Sequence, residues 1–293
     1  GPELVTFSNA TTSTLTGQRI NTAWYYNNWT KETGAKNYTI GDAADMYGFS
    51  RLVNDKQLTF AGDTISLSED VNMNNEWVPT VDTTTGKVNN LPADITKWTP
   101  IGSKSGTQFK GVFDGKGYTI SGLYTCSLSD KGTGLFGCVD STAVKIQDVR
   151  LVDSYIEGTH SRVGSIVGWA VNGTVQNVYS NATVVSYGNQ VGGLVGRAYD
   201  KDSNNNENDA VEVVGSWFDG EVYVARNGAR GAAGIVGWLI DGDLNISHCL
   251  NSGTIKSETD VTGVGVGGIF GTARGKGELN VLDSLNVGEI DVK

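Results

Sequence analysis

Trp169, Arg197 and Trp238 each follow the closing glycine of a short repeated phrase, so stacking the repeats sets a guanidinium between two indoles. An arginine over an indole face makes cation–π contacts, and tryptophan and arginine are the residue types that dominate binding hot spots. The other residues at this phase are Cys138 and Thr272. Val167, Val195 and Val236 share the same face by alternation, so the ladder either binds a ligand or seals a covered wall. Three further aromatic residues join it as ligand-binding candidates. Trp24 and Trp29 bracket the cluster Trp24-Tyr-Tyr-Asn-Asn-Trp29, and Tyr199 opens a long polar run. Such rings offer a face to a sugar or protein, or pack beneath a cap.

Catalytic chemistry finds less support, and no residue is assigned a catalytic role. General acid–base cleavage of a glycan needs two carboxyls a few ångströms apart. The matching column is Asp148, Asn177, Gly215, His248 and Asp283, whose two carboxylates stand four repeats apart, roughly 19 Å at strand spacing. His248 adjoins Cys249, and strand neighbours point to opposite faces. A His-Glu-x-x-His pair is absent, and Gly263-Val-Gly-Val-Gly-Gly268 precedes a strand rather than the helix a dinucleotide site requires. Asp114, in Phe113-Asp-Gly-Lys-Gly117, reads as the cap of a tight turn whose glycines supply positive φ. Asp200, Asp202 and Asn204 alternate as in a calcium loop, but Asn205 stands where such a loop has glycine and Val211 where it has glutamate. Neither a metal nor a cofactor is expected.

The elements that position these residues follow from the phrase itself. It occurs as Gly134-Leu-Phe-Gly137, Gly164-Ser-Ile-Val-Gly168, Gly192-Gly-Leu-Val-Gly196, Gly234-Ile-Val-Gly237 and Gly267-Gly-Ile-Phe-Gly271, at about 30-residue spacing with one longer step. The long step holds the polar run Tyr199 to Asp209, read as a loop inserted at 199–211. Each repeat carries about three short runs of Val, Ile, Thr and Tyr bounded by Gly, Asn, Asp or Ser, which is strand and turn chemistry. Strands too short to bury a face alone are satisfied by pairing with their counterparts one repeat along. The sequence therefore predicts an all-β right-handed parallel β-helix of about seven coils, the hand following the general preference of parallel crossovers. Leu135, Ile166, Leu194, Ile235 and Ile269 form one interior column, and Ile146, Val175, Val213, Ile246 and Val281 another. Helical spacing around Ala43, Ala44, Tyr47, Leu52 and Val53, with Asp42 as N-cap, predicts a helical N-terminal cap. Residues 1–36 are expected to pack on that cap, 37–60 to hold it, and 61–293 to form the solenoid. Trp77-Val-Pro79 and Trp98-Thr-Pro100 read as one phrase split by an insertion from Val81 to Lys97.

The repeats, with the preceding Phe109-Lys-Gly-Val-Phe-Asp-Gly-Lys-Gly-Tyr-Thr-Ile-Ser-Gly-Leu123 segment, resemble the GLUG-type repeat region of bacterial cell-surface proteins, which include adhesins and the non-catalytic part of IgA-specific metallopeptidases. The resemblance spans roughly residues 37 to 293. It implies a secreted module attached to the cell surface through parts outside this chain. It also implies a host or extracellular protein or glycan as partner, an immunoglobulin among the candidates. A glycan-active enzyme and a passive spacer are the alternatives.

Composition fits. The chain has 40 glycines, 4 prolines and 18% charged residues, as a turn-rich β protein should. A net charge of -10 disfavours nucleic acid and anionic membrane surfaces, which demand a basic face. No apolar run reaches the length of a membrane span. Cys126, Cys138 and Cys249 are odd in number and suggest buried thiols rather than a disulfide framework. The protein is expected to be a monomer within a longer chain.

Overall fold

A computed structural model describes residues 20–28, 34–199, 210–225, 230–257, 260 and 265–293, with Tyr199 described in its backbone alone. Trp29, Asp200, Asp202 and Asn204 lie outside the described residues. The chain winds as a parallel β-helix whose strands form five all-parallel sheets of 8, 7, 6, 5 and 3 strands. In the coil that starts at the first repeated phrase, Phe136–Val139 belongs to the five-stranded wall and Lys145–Gln147 to the eight-stranded one. Arg150–Val152 then joins the seven-stranded wall and Tyr155–Gly158 the six-stranded wall. Gln190–Gly192, Gly231–Ala233 and Gly265–Gly267 form a fifth, narrow ledge of three strands.

A coil therefore carries four or five strands rather than three, and the eight-stranded wall has one more rung than the expected seven coils. The difference has a local cause. Asp148 adopts a left-handed conformation, φ 53°, and splits what reads as one apolar run into two strands meeting at a corner. Its counterparts Asn177 (φ 51°), Gly215 (φ 59°), His248 (φ 53°) and Asp283 (φ 47°) repeat the corner in later coils. Glycine, Asn, Asp and His tolerate this region best, which explains the composition of the column.

The interior follows the sequence. Ile146 pairs in register with Val175, Val175 with Val213, Val213 with Ile246 and Ile246 with Val281. Leu135, Ile166, Leu194 and Ile235 are fully buried. The closing glycine of the phrase is there for space. A Cβ on Gly168 would run into the Thr133 amide nitrogen, and one on Gly196 would come 2.5 Å from the Val163 nitrogen, because the ledge passes backbone to backbone.

The helix Ala43–Lys56 caps the first coil. Asp42 accepts a hydrogen bond from the Asp45 amide at 2.8 Å, and Asp45 accepts one from the Gly41 amide at 2.9 Å, a reciprocal capping arrangement. Gln57, left-handed at φ 57°, ends the helix. Phe49 reaches into the solenoid, its ring centroid 5.6 Å from Phe109 and 6.0 Å from Phe113. No helix among the described residues is long and apolar enough to cross a membrane.

Candidate functional site

The ladder read from the repeats forms in register. Trp169 pairs with Arg197 and Arg197 with Trp238 on three adjacent strands, and the Arg197 guanidinium carbon lies 5.2 Å from the Trp169 ring centroid. It is partly covered, with Trp169 and Arg197 half-buried and Trp238 buried. Arg162 lies closer to Trp169, at 4.2 Å, and donates to the Asp130 carbonyl. Trp238 is 3% exposed, and a Cβ on Gly231 of the ledge would sit 3.1 Å from its ring. The ledge covers this wall, so Trp238 seals the fold rather than offering a face. Trp24 is corrected in the same way. At 8% exposure it packs among Tyr38, Phe49 and Phe60, with centroids 5.7, 6.2 and 6.0 Å away, beneath the cap. Tyr199 ends the strand Val195–Tyr199 in register with Ile240.

The corner column likewise resolves into turn chemistry. His248 is exposed on the left-handed corner, while Cys249 is 2% exposed and points inward, so the two do not meet as a dyad. Burial pushes the Cys249 thiol pKa up, the opposite of an activated nucleophile. Asp114 accepts from the Lys116 amide at 2.9 Å and from the Lys116 ammonium at 2.9 Å, as a turn cap does. In that turn Lys116 (φ 54°) and Gly117 (φ 83°) supply the left-handed backbone. Gly115 instead makes room for the Asp148 carbonyl, which its Cβ would approach at 2.5 Å.

Two residues after each corner, however, a side chain points outward from the seven-stranded wall. Thr119, Arg150, Tyr179, Trp217, Leu250 and Leu285 stand in register on successive coils. Their inward neighbours Ile120, Leu151, Ser180 and Phe218 are fully buried, which fixes the outward row by alternation. The Arg150 guanidinium carbon lies 4.4 Å from the Tyr179 centroid, and Tyr179 meets Trp217 edge to face at 4.9 Å. Trp217 is 40% exposed. Its indole N–H donates to the Ser252 hydroxyl at 2.6 Å, and that hydroxyl donates to Asp219 at 2.6 Å. The Tyr179 hydroxyl donates to the other Asp219 oxygen at 3.3 Å. Burial and the Asp219 charge raise the Tyr179 pKa, so the phenol stays protonated and donating. One carboxylate thus orients both rings.

These residues line an open groove of about 640 Å³ that crosses four coils, with Lys116, Asp148 and Asn177 along its other side. Asn177 donates to Asp148 at 3.2 Å. The arrangement presents an aromatic row bordered by hydrogen-bonding groups, suited to a flat or extended ligand. The sequence held a signal for it. A constant offset of two from the corner column selects Arg150, Tyr179 and Trp217, but only the left-handed corner shows which side that row faces.

No family model matches the chain. In sequence, 97 residues, 33% of this chain, are 34% identical to halomucin of Haloquadratum walsbyi, and the chain spans 1% of that protein's length. In structure the chain is similar to a "putative immunoglobulin A1 protease" from Bacteroides ovatus, with a TM-score of 0.51 and 18% identity over 87% of this chain and 77% of that one. At that identity the likeness is one of fold, and the architecture the two share is a stack of parallel strands.

Proposed function

We propose that the chain is a non-catalytic recognition module of an extracellular surface protein, and that it holds a host or matrix macromolecule, a glycoprotein or an immunoglobulin, against its seven-stranded wall. The supporting observation is the outward row of exposed Arg150, half-buried Tyr179 and exposed Trp217, in register along an open groove. Arginine, tyrosine and tryptophan are the residue types through which interfaces gain most of their affinity. The Asp219 network holds two of the rings before any ligand arrives, which lowers the ordering cost of binding. An enclosed pocket would favour a small molecule, whereas a groove open along four coils favours a chain or a surface.

The test is binding to arrays of glycans and of serum and mucosal proteins by the wild type, Trp217→Ala, Arg150→Ala and the covered-wall variant Trp238→Ala. Trp217→Ala is expected to weaken any ligand by about 2 kcal/mol, a hot-spot loss, while leaving thermal unfolding nearly unchanged. A ligand insensitive to both groove variants overturns the site, and silence on every array leaves a passive spacer.

One observation favours the enzymatic alternative, because Asp114 and Asp148 line this groove from adjacent coils. Against it, a glycosidase needs one carboxyl held protonated, and the Asp114 pKa is depressed. New reducing ends after incubation with a polysaccharide, lost in Asp148→Asn, would establish cleavage.

A further inference from the structure

The insertion between the two Trp-x-Pro phrases builds a second site on a different wall. Within it residues 80–89 fold as an antiparallel hairpin, with a Val81–Val88 bridge and a bond from the Asn89 amide to the Thr80 carbonyl at 2.9 Å, and Lys97 rejoins the solenoid by a parallel bridge to Tyr124. Asp82 caps its turn, accepting from the Thr84 amide at 2.9 Å and the Thr85 amide at 2.8 Å. The hairpin lies over the outer face of the six-stranded wall, where Trp77, Tyr155, Val185 and Tyr223 form a hydrophobic cluster apart from the main core. Gly86 rests on the Tyr223 ring, leaving no room for a Cβ. The Tyr223 hydroxyl donates to the Thr83 carbonyl at 3.4 Å, a contact between residues 140 positions apart. The strap is therefore tied down at its tip.

Beside that tip the hairpin leaves a cleft of about 280 Å³, room for one small ring rather than a chain. Its lining includes Tyr187, Ala225 and the side chains of Lys87 and Lys256, and Tyr223, 2% exposed beneath Gly86, closes its base. Lys87, on the hairpin, lies 5.7 Å from the Tyr187 centroid, and Lys256, on the wall, 5.3 Å from that of Tyr223. Two carboxylates of the wall lie nearby: Glu221 is engaged by Lys256 at 2.7 Å and by the Tyr223 hydroxyl at 3.0 Å, and Glu157, whose charge acts on Lys87, accepts from the Tyr155 hydroxyl at 2.6 Å. Among the described residues the cleft is lined by the two ammonium groups and by no carboxylate, in a chain whose net charge is -10. Thr84, Thr85 and Ser257 add hydroxyl or backbone partners at the rim.

We infer that this cleft takes a monosaccharide-sized sugar acid, its ring against Tyr187 and its carboxylate between Lys87 and Lys256. A sugar ring offers an apolar C–H face to an aromatic side chain. A carboxylate between two ammonium groups gains charge-assisted hydrogen bonds that a neutral hexose cannot make. The site stands apart from the seven-stranded wall and does not depend on the reading given to it.

The test is calorimetric titration of the full chain with glucuronate, with glucose, and with a tetrasaccharide ending in glucuronate. Glucuronate binding is expected, glucose binding is not. Lys87→Ala, a change at an exposed side chain, should weaken glucuronate about tenfold. Tyr187→Ala should do the same, while Trp217→Ala leaves binding unchanged and so separates this cleft from the groove. Tighter binding of the tetrasaccharide identifies the end of a glycan as the source, and equal binding identifies the free acid. Failure of both acids to bind, equal binding of glucose, or indifference to Lys87→Ala overturns the assignment.

Discussion

At the scale of single residues, the tryptophans separate by what their indole nitrogens meet. Trp98 is fully buried and donates to the Leu135 carbonyl at 3.1 Å, and Trp77 donates to the Asn90 carbonyl at 3.1 Å and so anchors the hairpin. Trp217 donates to a surface serine and keeps its ring in solvent. Residue type alone could not sort them, since covering is decided by segments far away in sequence. Asp114 carries a prediction at this scale. Burial alone would raise its pKa, but the Lys116 ammonium, the Lys116 amide and the Gln147 side chain outweigh it and hold the carboxyl below the usual carboxylate value of about 3.9. A depressed folded-state pKa contributes stability that is present above the unfolded value and is lost as pH falls through the folded one. Asp114→Asn should therefore lower the urea midpoint at pH 7, and the gap to wild type should be narrower at pH 3, below the unfolded value of about 3.9. Urea titrations at those two values measure it and avoid the region of the isoelectric point, about 4.7. A gap that persists unchanged at pH 3 would show that the charge plays no part.

At the scale of elements, the legible strands were those with inward Val, Ile and Leu at period two. Ile146, Val175, Val213 and Ile246 lie in one register, as their like sizes and phase imply. The ledge strands Gln190–Gly192, Gly231–Ala233 and Gly265–Gly267 are not legible, because each is three residues long and glycine-bearing, too short to show a period. That is why the partners of the Trp169, Arg197 and Trp238 ladder are legible in the sequence and its degree of cover is not. Two-residue strands such as Tyr179–Ser180 and Trp217–Phe218 were too short for periodicity, and the groove lies on them. The capping helix was legible because its signals are local. Asp42 and Asp45 satisfy two backbone donors at its start, so Asp42→Ala should cost about 1 kcal/mol. The loss should appear as a lower urea midpoint with binding at either proposed site untouched. An unchanged midpoint would mean that packing of Met46, Phe49 and Leu52 holds the cap without its end bonds.

At the scale of the whole molecule, a solenoid has no single centre. Each coil touches mainly its two neighbours, so stability is close to a sum of coil terms and nearest-neighbour interfaces. The first coil is closed by the aromatic cap, where Phe49 packs against Phe109, Phe113 and Phe136. At roughly 25 cal/mol per Å² of apolar area, inward residues such as Val175 and Val184, both nearly or fully buried between coils, supply those interface terms. Both proposed sites sit on middle coils, on Tyr179 and Trp217 for the groove and on Tyr223 and Lys256 for the cleft. A rigid platform is thus placed where neighbours brace it from both sides. Hydrogen exchange followed by mass spectrometry should show this. Amides of Gly173–Gln176, paired on both sides within the eight-stranded wall, should exchange roughly two orders of magnitude more slowly than those flanking the Val81–Val88 bridge of the hairpin, which packs on the solenoid from outside. Equal protection of the two would mean that hairpin and coils open together, and the coil-by-coil account of stability would fail.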